Sequence, residues 1–403
     1  MHLLLVTYEF PPFMATGGIG SYMYHLAHVM AEKCHNVTVF SATQSHSEVT
    51  IRKKKEYTNY LIPASDTVVF RTEVLKLFGS YIQNHRVDVI ESPEVGACAL
   101  HIKEAYPFIP LVVKLHTPGV MITKISNTYD PFMKKMRYVI GALLRGKLDL
   151  GYWSKIDKNR VRDPEYKICI MADQLFSPSR ALASYLSCFW HLKNEIKIVP
   201  NPFQADGDMF QYPLEGREKQ ICFVGKLTVL KGMFALTKAV KLILKKHHDY
   251  RFVFAGRDEA VSKKFPSMKA WMENELIDFS DRVEFAGSLP RDKVKKLLAK
   301  SRITIVPSLW ENYPNIVLEA MASGSAVVAA NRGGIPELIR HKHNGLLINP
   351  LQPNSIAKAV SNLINNNENC ILYATKGREF VKDLSAKFEH QILNQYNLLL
   401  NHS

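Results

Sequence analysis

Short apolar runs alternate with longer amphipathic segments along most of this 403-residue chain. The runs are rich in Val, Ile, Leu and Phe, which is typical of strands in a parallel sheet covered on both faces. The segments between them repeat apolar positions every three or four residues, which predicts helices. The runs are Leu3–Val6, Val37–Phe40, Val87–Ile90, Leu111–Leu115, Leu175–Ser177 and Ile196–Val199, then Ile221–Val224, Phe252–Ala255, Val283–Phe285, Ile303–Val306, Ala326–Ala330 and Leu346–Ile348.

This alternation stops once, near the middle of the chain, where proline, glycine and polar residues replace both periodicities. A chain of this length exceeds the usual limit for one hydrophobic core, so two domains are expected. We predict two tandem Rossmann-like, doubly wound α/β domains that face a central cleft. The N-terminal domain spans 1–203, a linker spans 204–220, and the C-terminal domain spans 221–380. A C-terminal helix over 381–403 is expected to pack back on the N-terminal domain.

The composition is that of folded domains, with 47% hydrophobic and 22% charged residues. No apolar run approaches the roughly 20 residues of a membrane span, and the apolar start of the chain is soon interrupted by Pro11 and Pro12. A cytoplasmic protein is therefore expected. Its six cysteines lack CxxC or Cys/His metal spacing and most lie in apolar stretches, so we predict free, buried thiols and no metal site.

The formal net charge is +15, and much of the basic excess of the first half lies in Lys124–Lys167. Apolar residues at helical spacing occur within this segment, with lysines and arginines beside them, which predicts a basic amphipathic helix. Two interpretations stay open: a helix packed on its own domain with a solvated face, or contact with the anionic inner face of the membrane. Nucleic acid is not an expected partner, because no recognised nucleic-acid motif is present.

The segment PSLWENYPNIVLEAMASG places Glu311 in the loop after a predicted strand, and Glu319 in the first turn of a helix that Asn315 can cap. Carboxylates accept hydrogen bonds from vicinal sugar hydroxyls, and the N–H groups at a helix start can bind phosphate. The pattern therefore fits a sugar nucleotide. The alternative is two surface glutamates near a helix start, where the helix dipole favours acids.

A glycine-rich turn, GGIGSY, follows the first predicted strand and begins a helix. Gly17 and Gly18 would let the backbone approach a bound group closely, although a turn that serves only the chain path is the alternative. Met23 stands where a dinucleotide fingerprint needs a third glycine, and the second strand ends in Phe40 and Ser41 instead of an acid. Binding of NAD is therefore not expected.

Other candidate residues follow predicted strands of both domains. Lys226 and Lys231 lie in the first strand-to-helix loop of the second domain, where two cations could bind a diphosphate. His116 ends the run LVVKLH and could donate to a sugar hydroxyl or a phosphate. Gly333 and Gly334 form another turn, compatible with phosphate binding or with simple chain reversal.

One rival signal is the pair Asp206 and Asp208, since two such aspartates can hold Mg²⁺ or Mn²⁺ against a diphosphate. We interpret them as polar linker residues, because no apolar strand precedes them to hold them rigid. The sequence has no GxSxG elbow and no Walker loop, which argues against a hydrolase and a P-loop enzyme.

Five motifs in order, GGIG, HTPG, VPNPF, GKLTVLKG and ENYPNIVLE, resemble those of the retaining glycosyltransferases of family 4 over nearly the whole chain. The resemblance implies a GT-B fold, a nucleotide-sugar donor bound mainly by the second domain, an acceptor bound by the first, and no required metal or other cofactor. By this resemblance Glu319 would hold the donor ribose, Glu311 would lie near the donor sugar, and Lys226 and Lys231 would bind the diphosphate.

In the first domain, the resemblance implies that Gly17 and Gly18 approach the phosphate or sugar and that His116 contacts the donor sugar or the reacting centre. The chain also departs from the family pattern. Lys226 stands where arginine is common, so bidentate phosphate binding is lost. Pro314 stands where glycine is common and has no N–H, so the amides of Asn315 and Ile316 would bind phosphate instead.

The function implied is transfer of a hexose-type sugar from a nucleoside diphosphate, UDP or GDP, to a glycan or lipid-linked acceptor in cell-surface polysaccharide synthesis, with retention of anomeric configuration. Two alternatives remain. One is another GT-B enzyme acting on sugar nucleotides, such as an epimerase. The other, motivated by the charge, is a non-catalytic protein that binds anionic surfaces or nucleic acid.

Overall fold

The computed structural model describes residues 1–14, 17–128, 132–147, 157, 159–203, 205–260 and 267–401. Parts of the predicted basic segment (129–131, 148–156 and 158), residue 204 of the predicted linker, and 402–403 of the predicted terminal helix lie outside the described residues. The chain forms two compact units, one of Met1–Pro202 with Phe388–Ser403, the other of Phe203–Lys387.

The first unit is an α/β domain whose sheet has the strand order β3-β4-β2-β1-β5-β6-β7-β8. All pairs given by the structure are parallel except β3 with β4. The strands are β1 His2–Thr7, β2 Asn36–Thr43, β3 Thr50–Lys53, β4 Thr58–Pro63, β5 Val89–Pro93, β6 Leu111–Lys114, β7 Gln174–Ser177 and β8 Ile196–Ile198. The helices are α1 Gly18–Glu32, α2 Thr67–Tyr81, α3 Leu100–Ala105, α4 Gly119–Thr128, α5 Phe132–Leu143, α6 Pro164–Met171 and α7 Arg180–Trp190.

The second unit contains a parallel sheet with strand order β11-β10-β9-β12-β13-β14. Its strands are β9 Glu218–Val224, β10 Arg251–Ala255, β11 Val283–Gly287, β12 Ser301–Val306, β13 Ala326–Ala330 and β14 Leu346–Ile348. Its helices are α8 Met233–Lys246, α9 Met268–Glu275, α10 Arg291–Lys300, α11 Asn315–Ala322, α12 Ile335–Leu338 and α13 Pro353–Asn365, and α14 Asn367–Asn401 follows them.

Helix α14 contributes to both units. Its first part belongs to the second unit, where Cys370, Tyr373 and Val381 lie in the hydrophobic core. Its last part belongs to the first unit, where Ile392 and Tyr396 are fully buried in the core. The helix predicted over 381–403 is therefore the end of a longer helix.

Every strand predicted from an apolar run is present, with small shifts of its ends. The prediction missed β3 and β4. Strand β3 is a polar edge strand whose residues Ile51, Arg52 and Lys53 are exposed and give no apolar run. The segment 204–220 predicted as a linker belongs to the second unit: Met209 is buried in its core and β9 begins at Glu218.

All six cysteines are free, as predicted from their spacing. Cys98, Cys169, Cys222 and Cys370 are buried as predicted, whereas Cys34 and Cys188 are exposed, so the prediction of burial is wrong for these two.

Candidate functional site

The candidate site of the second unit lies where β9 and β12 are neighbours in the sheet. The strand order reverses here, because β10 and β11 continue on one side and β13 and β14 on the other. In open α/β sheets, ligands bind beyond the carboxyl ends of the strands at such a reversal. The loops that follow β9 and β12 carry Lys226, Lys231 and Glu311, so the fold places these predicted residues at the expected edge.

Lys231 and Glu311 form an ion pair across this point. The Nζ of Lys231 donates to Oε1 of Glu311, and the hydroxyl of Ser308 donates to the same oxygen at 2.9 Å. The side chains are only 32% and 17% exposed, so the pair is partly shielded from water. A cation and a carboxylate, predicted separately as ligands of the diphosphate and of the sugar, are therefore in direct contact.

Backbone contacts hold these two loops together. The N–H of Leu309 donates to the carbonyl oxygen of Leu230 at 2.8 Å. Gly232, in the left-handed conformation with φ of 78°, ends the turn that carries Lys231 and begins α8. A Cβ on Gly232 would lie 2.1 Å from the carbonyl oxygen of Pro307, so only glycine permits this approach.

The loop after β13 packs on the same segment. The N–H of Gly334 donates to the carbonyl oxygen of Glu311 at 2.8 Å. Gly333 has φ of 57°, and a Cβ there would lie 2.1 Å from that same oxygen. The turn predicted at Gly333 and Gly334 therefore packs its backbone closely against Glu311, a role that neither of the two interpretations included.

Lys226 is exposed and makes no hydrogen bond or ion pair with a residue that the structure describes. It lies directly after Gly225, whose N–H donates to Ala255 at 2.8 Å and so fixes the start of the loop. A lysine held at the carboxyl edge of the sheet without a protein partner can bind an anionic group of a ligand.

Helix α11 differs from the prediction at its start. Pro314 occupies the N-cap position, so Asn315 is the first helical residue and is not the cap. The extended backbone of Pro314, with ψ of 113°, explains the shift, because a cap residue lies outside helical geometry. Glu319 consequently lies beyond the first turn. Within the part of the chain that is described, the Oδ1 of Asn315 is buried and accepts no hydrogen bond.

The Glu319 carboxylate receives no hydrogen bond from the residues that the structure describes. Burial raises the pKa of Glu319, Arg291 opposes this shift, and Asp206 adds to it. An enclosed carboxylate without a protein donor is able to accept hydrogen bonds from a ligand, such as the hydroxyls of a ribose.

Asp206 and Asp208 both contact a cation. Their carboxylates lie 3.0 and 3.5 Å from the Nζ of Lys295. These contacts raise the pKa of Lys295, which keeps the lysine charged. Across the described stretches of chain, no three His, Cys, Asp or Glu side chains are grouped so that they could hold a metal ion.

In the first unit, β1 and β5 flank the corresponding reversal of strand order. Gly17 is the N-cap of α1 and Gly18 its first residue. The N–H of Gly17 donates to Oε2 of Glu9 at 3.2 Å, and a Cβ on Gly17 would lie 2.7 Å from that oxygen. A Cβ on Gly18 would meet no described atom within 4 Å. The glycine turn is therefore in contact with a carboxylate that the sequence analysis did not select.

His116 follows β6 and is held by Glu94, which the sequence analysis also missed. The backbone N–H of His116 donates to both carboxylate oxygens of Glu94, at 2.7 and 2.8 Å. Its Nδ1 lies 3.0 Å from the carbonyl oxygen of Lys114, so Nδ1 carries the proton. Glu165 accepts from the N–H of Gly119 at 2.9 Å, and burial raises the pKa of Glu165 to about 7.

A network of buried polar side chains lies beside His116. Glu91 accepts from the hydroxyl of Tyr22 at 2.5 Å and from the hydroxyl of Tyr396, which the end of α14 brings to the first unit. The ammonium of Lys114 lies 4.8 Å from the centre of the Tyr22 ring. Burial lowers the pKa of Lys114 to about 7, against the opposing effect of nearby carboxylates. The ring of Tyr22 contacts that of His116 edge to face, with centres 5.6 Å apart.

The described helices are all either too short or too polar to cross a membrane. On α5 and just after it, Ile140, Leu143 and Leu144 are exposed beside the exposed cations Arg137 and Arg145. The predicted basic amphipathic helix thus exists, and one of its faces is both apolar and basic.

Comparisons with known proteins agree with this arrangement. Residues 16–206 match the family described as Glycosyltransferase Family 4, and residues 205–380 match the family described as Glycosyl transferases group 1. Spore coat protein SA of Bacillus subtilis is 29% identical over 395 residues, which cover 91% of this chain and 90% of that protein. An uncharacterised glycosyltransferase of Methanocaldococcus jannaschii is 24% identical over 393 residues, which cover 90% of this chain and 89% of that protein.

Solved structures resemble the whole chain at low sequence identity. Sucrose-phosphate synthase from Thermosynechococcus elongatus has a TM-score of 0.74 and 17% identity, over 100% of this chain and 99% of that chain. HepE from Anabaena, crystallised in complex with UDP, has a TM-score of 0.66 and 16% identity, over 98% of this chain and 100% of that chain. These likenesses show the GT-B fold. With both halves matched by glycosyltransferase families and the fold of the whole chain shared with GT-B enzymes, this protein belongs to the family 4 glycosyltransferases.

Proposed function

We propose that this glycosyltransferase moves a hexose-type sugar from a nucleoside diphosphate, UDP or GDP, to a glycan or lipid-linked acceptor, with retention of configuration. The observation that carries the proposal is the Lys231–Glu311 pair at the strand reversal of the second unit, with Lys226 at the same edge. Anabaena HepE, which shares the fold, was crystallised with UDP and with UDP-glucose, and this supports a uridine nucleotide as the donor.

Each donor group has a candidate partner in the second unit. Lys226 and Lys231 would neutralise the diphosphate as charge builds up on this leaving group. The amides of Asn315 and Ile316, at the start of α11, would donate to its oxygens. Glu319 would accept from the ribose hydroxyls.

Glu311 would accept hydrogen bonds from hydroxyls of the transferred sugar. Its position depends on the loops that contact it. Binding of a diphosphate near Lys231 would compete with the carboxylate for the ammonium. We therefore infer that donor binding loosens the Lys231–Glu311 pair and frees Glu311 to accept from sugar hydroxyls.

The first unit would bind the acceptor and contact the reacting sugar. Gly17 and Gly18 would provide close backbone approach, and His116, held through its backbone by Glu94 and protonated on Nδ1, would accept a hydrogen bond from a sugar hydroxyl at Nε2. Retention would be read from the anomeric coupling constant of the product by proton NMR, compared with that of the donor.

The test of the donor is a thermal-shift panel of UDP, GDP, ADP and their sugar conjugates. A ligand at 100 times its dissociation constant stabilises the folded state by about 2.7 kcal/mol, so a specific donor gives a clear shift. Lys226→Met should abolish most of the shift and leave the melting temperature without ligand unchanged, because Lys226 has no described protein partner.

Lys219→Met is the matched control, because Lys219 lies at the amino end of the same strand and pairs with Asp249 at 2.7 Å. A panel without any nucleotide response would contradict the proposal. Release of an isomerised nucleotide sugar without acceptor would instead identify an epimerase.

We further propose that the acceptor is reached at the cytoplasmic face of an anionic membrane. The exposed apolar residues Ile140, Leu143 and Leu144 beside Arg137 and Arg145 support this, since a bilayer surface offers both apolar and anionic partners. Sedimentation with vesicles should increase with the fraction of phosphatidylglycerol, and Leu144→Asp should reduce it. Equal sedimentation with pure phosphatidylcholine vesicles would remove this part of the proposal.

A further inference from the structure

A cavity of roughly 310 Å³ lies in the second unit, away from the candidate donor site. Its wall includes Arg217, Arg302, Gly324 and Ala374, together with one acidic residue, Glu215. Arg217 directly precedes β9 and Arg302 is the second residue of β12, so the cavity lies at the amino edge of the sheet. The lysines and Glu311 of the donor site follow the carboxyl ends of the same two strands.

Two arginines, Arg217 and Arg302, line this cavity, and Arg378 lies close to Arg217 and Gly324. A Cβ on Gly324 would lie 2.4 Å from Nη2 of Arg378 and 2.9 Å from Nη2 of Arg217, so both guanidinium groups reach the same wall. Within the described part of the chain, Arg217, Arg302 and Arg378 have no carboxylate within 4.0 Å. Burial and the nearby Arg378 lower the pKa of Arg217 to about 10, which reflects the cost of placing like charges together.

Helix carbonyl groups compensate part of this charge. Arg217 donates to Ser301 and Ser323, at the ends of α10 and α11, and Arg378 donates to Ala322 at 3.2 Å. Arg302 likewise donates to carbonyl groups in the last turn of α13. A helix C-terminus carries about half a negative charge, so three of them offset about 1.5 of the three positive charges. About 1.5 positive charges remain, of which the exposed carboxylate of Glu215 on the cavity wall can offset about one, so the site keeps a smaller net positive charge.

Two nitrogens of these guanidinium groups have no hydrogen-bond partner among the described residues. The Nε of Arg302 is buried and has no partner among the described residues. The Nη1 of Arg378 likewise donates to no residue that the structure describes, since its recorded bonds use Nε and Nη2. Helix α14 begins at Asn367, which lines the cavity, and the N–H groups of its first turn add a favourable dipole for an anion.

We propose that this cavity binds a phosphate-class oxyanion, either the free ion or the phosphate group of a small molecule. Guanidinium groups form strong charge-assisted hydrogen bonds with phosphate oxygens, and the excess positive charge provides the attraction. The volume exceeds that of one phosphate ion, so a phosphomonoester of modest size also fits. This site is separate from the donor diphosphate site because it lies at the opposite edge of the sheet.

The test compares melting temperatures in sodium phosphate and in sodium chloride at equal ionic strength, with glycerol phosphate as a second arm. We expect a saturable rise of about 3 to 6 °C at ten times the dissociation constant. A larger rise with glycerol phosphate identifies a phosphomonoester ligand, and a larger rise with inorganic phosphate identifies the free oxyanion. No rise above chloride with either anion overturns the proposal.

Variants assign the effect to this cavity. Ala374→Glu places a carboxylate in the cavity one helical turn before Arg378, so this variant should melt higher in chloride and lose the phosphate response. Ala374→Gln is the matched neutral control and should keep the response. Ile371→Glu, at a second lining position, repeats the test if Ala374→Glu does not fold.

The donor site could also bind phosphate, so Lys226→Met separates the two sources. The phosphate response should persist in Lys226→Met. Its loss there, or its survival in both glutamate variants, would assign the effect elsewhere and overturn the proposal. The proposed glycosyl transfer is tested by the nucleotide panel and does not depend on this result.

Discussion

Replacing Gly333 by alanine tests whether the loop after β13 positions Glu311. The added Cβ would lie 2.1 Å from the carbonyl oxygen of Glu311, whereas real Cβ contacts essentially never fall below 3.0 Å. The two backbone segments must therefore separate by about 0.9 Å, and the 2.8 Å hydrogen bond from Gly334 to the same oxygen is strained or lost. Glu311 and its partner Lys231 move with that segment.

The expected cost has two parts. A non-glycine residue in the left-handed conformation costs about 1–2 kcal/mol. The lost hydrogen bond and the overpacking add about 2–4 kcal/mol. A displacement of about 1 Å at the reacting groups lowers turnover about 100-fold. Gly333→Ala should therefore unfold at lower urea concentration and transfer sugar about 100 times more slowly.

Gly216→Ala is the matched control. Gly216 has φ of 69°, but a Cβ there would meet no described atom within 4 Å, so this variant has the backbone cost without the clash. Urea unfolding gives the free energy of each variant, and turnover is measured with the donor found in the thermal-shift panel. Equal unfolding free energies and equal turnover in the two variants would refute the role assigned to Gly333.

Two further predictions concern buried charges. Burial raises the pKa of Glu319, so its charged form destabilises the fold above that pKa, and the effect disappears as the pH falls below the unfolded value. Glu319→Gln should therefore have a higher melting temperature than the wild type at pH 7 and a smaller increase of the melting temperature at pH 4. It should also bind the donor more weakly. A lower melting temperature at pH 7 would contradict this. Burial lowers the pKa of Lys114 to about 7, so between pH 7 and 10 the Lys114 amine is protonated in the unfolded state and neutral in the folded state. The free energy of unfolding therefore rises by up to about 1.4 kcal/mol per pH unit in this range. Lys114→Met should lose this increase of the unfolding free energy with pH, measured by urea unfolding between pH 7 and 9.5. Lys103→Met removes a buried lysine that lies 2.6 Å from Asp173, and it should keep the increase. Equal slopes in the wild type and both variants would exclude this effect of Lys114.

The strands of both units could be predicted from the sequence because buried parallel strands leave uninterrupted apolar runs. Strand β3 could not, since its residues face water at a sheet edge and carry no such signal. The start of α11 was misjudged for a different reason. Asparagine is a common N-cap, but the choice between Pro314 and Asn315 depends on backbone angles that composition does not specify.

Contacts between residues distant in sequence were beyond prediction. Nothing near Glu94 in the sequence indicates that its carboxylate will receive the backbone N–H of His116. The burial of Lys114 could not be predicted either, because a single lysine in an apolar run is also typical of a residue at the end of a strand. Glu9 was overlooked because it falls just before two prolines, although it folds back onto Gly17.

The glycines of the two units have different physical roles, although the sequence presents them alike. Gly232 and Gly333 each lie against a backbone carbonyl oxygen at a distance that no Cβ permits. Gly17 lies against the end of the Glu9 side chain, and a Cβ on Gly18 would meet no described atom within 4 Å. In the second unit, therefore, glycine brings the loops of neighbouring strands together and fixes the Lys231–Glu311 pair. In the first unit, no described atom lies within 4 Å of the position that a Cβ on Gly18 would take, so this glycine has no comparable packing role.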